Sequence, residues 1–141
     1  MIMNMKKIIV GIIIAICIIS CDNWSDYDYI IVNTTDQTAS INLAPIKWKD
    51  AVLGDTTINI NAGEKKILAS FFIGMAGWFD KVSSNPEEEG VPALWKYINY
   101  ITIGNDTIPK QRYNNMEVWN FERDGSCGLY TLILKLNSSA E

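Results

Sequence analysis

Histidine does not occur among the 141 residues. Its absence removes imidazole-based triads, Cys–His pairs, histidine zinc sites and the histidine pH switch together. Cysteine is nearly as scarce, with three residues at Cys17, Cys21 and Cys127, far from the cysteine-dense pattern of a small disulfide-stapled domain. Cys127, in the run DGSCG, reads as a small thiol at the start of a strand. Positive charge is short as well: 12 basic residues stand against 16 acidic ones, for a net charge of −4. The nearest approach to a basic cluster is Lys47, Lys49, Lys65 and Lys66, which argues against nucleic acid or an anionic lipid surface as the main ligand. Phosphate-cradling glycine motifs, calcium-loop spacing and nucleophile elbows are missing too. The expectation is a chain that is not an enzyme and uses no cofactor, metal or catalytic residue.

What is present begins at the N-terminus. Lys6 and Lys7 precede Ile8 through Ile19, a run that is apolar apart from Gly11. As a helix this run covers about 18 Å, against about 30 Å of membrane hydrocarbon. A positive start followed by a short apolar core matches a secretory signal peptide better than a spanning helix. The run closes on Ile18-Ile19-Ser20-Cys21, which resembles the bacterial lipobox, although Ile19 is bulkier than the usual occupant of its position. The resemblance implies cleavage before Cys21, lipid on its thiol and acylation of the new amino terminus. Each buried methylene adds about 0.8 kcal/mol, so several chains hold where one binds only marginally. Residues 1–20 are then the signal and residues 21–26 a brief lipidated tether, with Trp24 either at the lipid interface or packed on the domain. Cys127 is left without an internal partner.

From Tyr27 to Leu136 the pattern is that of strands. YDYIIVNTT, SINLAPI, TTINI, EKKILASFFIG, ALWKYINYITI, MEVWNFE and LYTLILKL carry β-branched and aromatic residues, separated by turn signals. SINLAPI reads as a hairpin partner of the first strand. Ile67, Leu68, Phe71, Phe72 and Ile73 read as buried, and Tyr130, Leu132, Leu134 and Leu136 as sharing one face. GND and RDGSCG are tight-turn sequences. Seven or eight short strands without a long helix predict an all-β fold: a single immunoglobulin-like, two-sheet β-sandwich over residues 27–136, with a small lipocalin-like barrel as the alternative. Residues 137–141 read as a frayed tail.

One segment breaks the rhythm. Residues 74–92, GMAGWFDKVSSNPEEEGVP, form an irregular stretch with room for a short helix around 76–83. Connections this long without structure are uncommon in a compact domain unless functional or mobile. It presents Trp78 and Phe79, which read either as rings that cap the core or, with Trp95, as candidate contacts for a protein or glycan partner. Glu87, Glu88 and Glu89 read as a solvated loop and a second candidate contact. Three adjacent glutamates on a loop lack the fixed separation and rigid support of catalytic carboxylates.

The pieces VNTTDQTASINL, TTININAGEKKIL, YITIGNDTIP and VWNFERDGSCGLYTLIL resemble small lipoproteins of Bacteroides-like bacteria. An early N-x-T strand, an I-x-x-G-E turn and a late Trp…Tyr hairpin recur there around a β-sandwich. The resemblance carries no activity. It implies a lipid-anchored protein of the cell envelope, with the outer membrane the better address. Asp22, Asp26 and Asp28 are a diluted form of a surface-export signal. Asp55-Thr56-Thr57 and Asp106-Thr107-Ile108 look like the O-glycosylation motif of the same phylum, which makes Thr56 and Thr107 candidate glycan sites. Both also read as ordinary turn-to-strand junctions. The expected role is a non-catalytic binding or accessory module, with a structural envelope component or small inhibitor as the alternative.

Overall fold

Alternating side chains on two long strands set up the architecture. In the computed structural model, which describes residues 24–49, 51–53, 56–75 and 82–136, β1 (Trp24–Asn33) and β10 (Cys127–Leu134) pair in parallel. The register places Tyr27 beside Gly128, Tyr29 beside Tyr130 and Ile31 beside Leu132. All six point to one face and are buried. The glycine at 128 is required by that register: a Cβ there would lie 2.7 Å from the Tyr27 ring. β6 (Lys65–Met75) joins the other side of β1, and β9 (Asn120–Asp124) the other side of β10, completing the sheet order β6-β1-β10-β9.

The second sheet has the order β5-β2-β7-β8, from β2 (Ala39–Leu43), β5 (Thr56–Ile60), β7 (Ile98–Ile103) and β8 (Asp106–Thr107). β3 (Ile46–Trp48) and β4 (Ala51–Leu53) form a separate hairpin. The two large sheets face each other across one core, in which Tyr29, Ile31, Tyr130 and Leu132 of the first meet Ile41, Ile60, Ile101 and Ile103 of the second. Each such aliphatic side chain, fully buried, contributes about 1.5–3 kcal/mol of hydrophobic stabilisation. The fold is therefore a two-sheet β-sandwich, and no closed barrel forms among the described residues.

Several local expectations change. β1 starts at Trp24, so residues 24–26 belong to the sheet and not to a tether. β1 and β2 are not a hairpin, because the intervening turn carries the chain from one sheet to the other. In β6 the pairing with β1 skips Leu68 and Ile73. These irregularities shift the side-chain alternation, so Phe71 is buried while Ile67 and Phe72 stand 53% and 40% exposed. A further bulge in β7 skips Asn99, which lets Ile98 and Ile101 both face the core. Leu136 is exposed beyond the end of β10. The stretch 94–97 is a 3-10 turn and not strand. Residues 76–81, including Trp78 and Phe79, lie outside the described residues, as do Cys21 and the tail from 137.

Two turn sequences also meet. Asn33 of the N-x-T motif donates from Nδ2 to the carbonyls of Gln37, Ile60 and Asn61 at 2.8, 3.1 and 3.1 Å. Its Oδ1 accepts from the Thr35 amide at 3.1 Å and from the Thr35 hydroxyl at 2.7 Å. Gly63 of the I-x-x-G-E turn donates its amide to the Asn33 carbonyl at 2.8 Å, and Asn33 donates its own to Glu64 at 2.9 Å. The two motifs form one polar knot at the end of the sandwich, which satisfies buried backbone groups that would otherwise be costly.

Candidate functional site

The acidic segment is better supported than its composition implies. Tyr27 and Tyr29, spaced two apart on β1, share an inward face with Tyr130 of β10. Their rings stack, with centroids 6.2 Å apart for Tyr27 and Tyr130 and 5.3 Å apart for Tyr29 and Tyr130. A buried phenol needs an acceptor, and all three find theirs in the backbone of 83–92. The Tyr27 hydroxyl donates to the Ser83 carbonyl at 2.7 Å and that of Tyr29 to the Pro92 carbonyl at 2.9 Å. The Tyr130 hydroxyl donates to the Ser84 carbonyl. Arg123 Nε reaches the Val82 carbonyl at 2.9 Å, and Trp48 Nε1 the Gly90 carbonyl at 3.2 Å.

On this support Pro86–Glu89 makes a 3-10 turn, capped by Asn85, whose side chain accepts from the Glu87 amide at 3.2 Å. The three glutamates are exposed and each is engaged locally. Glu87 pairs with Lys96 at 2.6 Å, Glu88 accepts from the Ser83 hydroxyl, and Glu89 accepts from the Ser83 amide at 3.3 Å. Glu88 and Glu89 meet at Ser83, while Glu87 turns to Lys96. The arrangement presents an acidic surface but assembles no acid–base pair.

Burial pushes the Tyr27 and Tyr29 phenols well above their ordinary range; the nearby charge of Glu89 adds to the shift at Tyr27, while a backbone hydrogen bond from Leu94 opposes it at Tyr29. Tyr130 is pushed up to about 12 by burial, against the lowering effect of Arg123. All three are neutral hydrogen-bond donors at physiological pH, which is the form their contacts require.

Trp95, expected as a contact residue, is 4% exposed and belongs to the core. The 3-10 turn Leu94–Tyr97 aims its indole inward, where it meets Tyr130 and Tyr29 edge-on at centroid distances of 5.2 and 5.9 Å. Thr56 and Thr107 are both exposed, at the start of β5 and the end of β8. These strands are the opposite edges of one sheet, so the structure does not gather the two threonines into one site.

Two features were not foreseen from the sequence. On the outer face of the first sheet, ligand atoms of Asp26, Asp28 and Cys127 lie within 4.8 Å of one another. The parallel register places Asp26 beside Cys127, and Asp28 accepts from the Ser70 hydroxyl. The two carboxylates and the sulfur are a donor set that can hold a cation. The thiol, however, is pushed up by burial first, then by a hydrogen bond with Asp26 and the negative charges of Asp26, Asp28 and Asp124. It is protonated at neutral pH, so a soft metal would have to displace its proton. The second feature is a groove of about 310 Å³ along the last residues of β10, lined by Ile108, Arg112, Val118, Asn120 and residues 131–135. Sequence alone assigns Asp26 to the tether and Cys127 to the start of a distant strand. Only the β1–β10 register, invisible in the sequence, made them neighbours.

No family model, no curated protein and no solved structure matches this chain. Its functional reading rests on its own residues.

Proposed function

We propose that this chain is a lipid-anchored binding or accessory module of a bacterial cell envelope, held at Cys21 and without catalytic activity. The observation that carries the reading is the junction of leader and fold. Only two residues, Asp22 and Asn23, separate Cys21 at the end of Ile18-Ile19-Ser20-Cys21 from Trp24, the first residue of β1. A chain lipidated at Cys21 passes almost directly into the central strand pair, so the sandwich would be held close to its membrane with little slack. The described residues include no helix long and apolar enough to cross a membrane. In this reading the anchor is covalent lipid, with the outer membrane as address. The acidic surface that Glu87, Glu88 and Glu89 present on their 3-10 turn suits a protein partner. Glycans on Thr56 and Thr107 belong to the same proposal.

The test is fractionation of bacterial cells that produce the chain. Wild type is expected in the membrane fraction, with the precursor accumulating when lipoprotein signal peptidase is inhibited by globomycin. Cys21→Ser is expected to leave an unprocessed, unlipidated chain. Identical mobility and partition of wild type and Cys21→Ser, with no effect of the inhibitor, would overturn the anchor.

A further inference from the structure

The outer face of the first sheet carries an apolar cluster of its own. Residues paired across strands share a face, so the register brings Ile30 and Val32 of β1, Leu129 and Ile133 of β10 and Ile67 of β6 together there. Ile30 is only 5% exposed, yet it is not part of the core between the sheets. Val32 and Leu129 are half-buried without packing on that core. Ile133, at 47%, and Ile67 stand open to solvent. A contiguous apolar face rimmed by polar residues marks a surface of interaction.

The charges of this face are sorted along its strands. Asp26 and Asp28 stand at the start of β1, and Asp124 and Glu122 of β9, paired with Cys127 and Leu129, stand at the same end. At the other end Lys65 of β6 pairs with Val32. Lys135 continues the outward alternation one residue past β10. None of these charged residues forms an ion pair among the described residues. A face with an acidic end, an apolar middle and a basic end is complementary to itself when turned end for end.

We infer that this face binds a second copy of the chain, the two outer faces stacked with their strands antiparallel about a two-fold axis near Ile30 and Thr131. Each copy's Lys65 and Lys135 then lie over the acidic end of the other. With the strands parallel, like ends would meet and repel. A partner of one charge sign would answer one end of the face and oppose the other, and a lipid surface would have to take up the carboxylates. From Asp26 to Val32 the face is about 20 Å long, and four strands make it about 15–19 Å wide. That is roughly 300–400 Å² on each side, about half of what a standard interface buries. The pair is therefore weak when free in solution and favoured where an anchor confines the copies to one surface. The β1 strands start at opposite ends of the pair, so two anchored copies lie with their strands along the membrane. This deepens the binding-module reading by naming the partner, and it rests on the anchor only for local concentration.

The experiment cross-links the full chain carrying Thr131→Cys in intact bacterial cells. The reagent is a cell-permeant bismaleimide whose span matches the about 10 Å between packed sheets, and peptide mass spectrometry identifies the joined thiols. The expected product is a dimer joined from position 131 to position 131. Native Cys127 lies four residues from the axis in each copy, more than about 25 Å from its mate, and is expected to form no link. Ile67→Asp, beside the axis, is expected to lower the 131–131 yield about tenfold, and Lys65→Glu with Lys135→Glu about fivefold or more. Ile67, Lys65 and Lys135 are all exposed, so these variants are expected to fold, and Asn59→Asp on the other sheet should leave the yield unchanged. No 131–131 dimer, a yield that neither variant lowers, or equal linking through Cys127 would overturn the interface. A link from position 131 to a different protein, or an introduced thiol that labels only once detergent dissolves the membrane, would put another occupant on this face and overturn the second copy. Peptides joined through Cys17 or Cys21 report an unprocessed leader in the same map, so the anchor and the interface can fail separately.

Discussion

Asn33 ties three separate segments together through one polar side chain. Its amide bridges the end of β1 to the turn between β5 and β6, and its Oδ1 fixes Thr35 in the crossing between sheets. The residue is fully buried, so removing the side chain takes the Asn33 donor from the buried contact to the Ile60 carbonyl and the acceptor from the buried Thr35 amide, while the Gln37 carbonyl keeps the Thr35 hydroxyl at 3.0 Å. Asn33→Ala is expected to cost about 2–4 kcal/mol, from lost hydrogen bonds and the penalty of unsatisfied groups. The exposed Asn59→Ala should stay within about 0.5 kcal/mol. Urea denaturation midpoints of the two variants check the contrast. The sequence showed the N-x-T and I-x-x-G-E pieces as separate turn signals; nothing local says that they hydrogen-bond to each other, because the pairing is made by the fold. Trp95 carries the same lesson: a tryptophan after a proline-rich stretch looks the same whether its turn aims it outward or at Tyr130.

At the scale of elements, the pairing of β1 with β10 sets the core and the outer acidic cluster together. Gly128 sits opposite Tyr27 with no room for a methyl group. Gly128→Ala is expected to destabilise the protein by about 1–3 kcal/mol, the usual cost of overpacking a core, measurable as a lower thermal midpoint. The tyrosine donors act at the same scale. If Tyr27 and Tyr130 hold the acidic segment, the double change Tyr27→Phe with Tyr130→Phe should speed amide exchange across residues 83–92 by about tenfold or more, while exchange in β2 and β7 changes little. Equal acceleration in both regions would mean that the hydroxyls stabilise the whole fold and not the segment. The strands themselves were legible wherever alternation was unbroken, as in LYTLILKL and SINLAPI. Legibility failed at the bulges of β6 and β7, where one skipped residue moved Ile67 and Phe72 outward and brought Ile98 and Ile101 to the same face. The tyrosine supports were half legible: Tyr27 and Tyr29 share parity, but their acceptors lie 56 and 63 residues away in sequence.

For the whole molecule, the buried phenols set a limit on alkaline stability. In the unfolded chain a tyrosine ionises near pH 10, whereas native Tyr130 holds its proton to about 12 and Tyr27 and Tyr29 hold theirs more firmly. Above about pH 10 the folded state therefore keeps more protons than the unfolded one, and stability falls as pH rises. Each tyrosine contributes about 1.4 kcal/mol per pH unit in that window. Urea midpoints are expected to be insensitive to these groups between about pH 7 and 9 and to drop between about 10 and 12, less steeply in Tyr130→Phe. Beyond stability, the role proposed for this sandwich, whose first strand begins at Trp24, depends on what happens at Cys21. The intact mass of the chain, extracted from the envelope of the bacterial cells that produce it, tests that most directly. The expected species begins at Cys21 and carries the added mass of a diacylglycerol thioether and an acylated amino terminus. A species that begins at Met1, or one that begins at Cys21 with no added lipid mass, would contradict it.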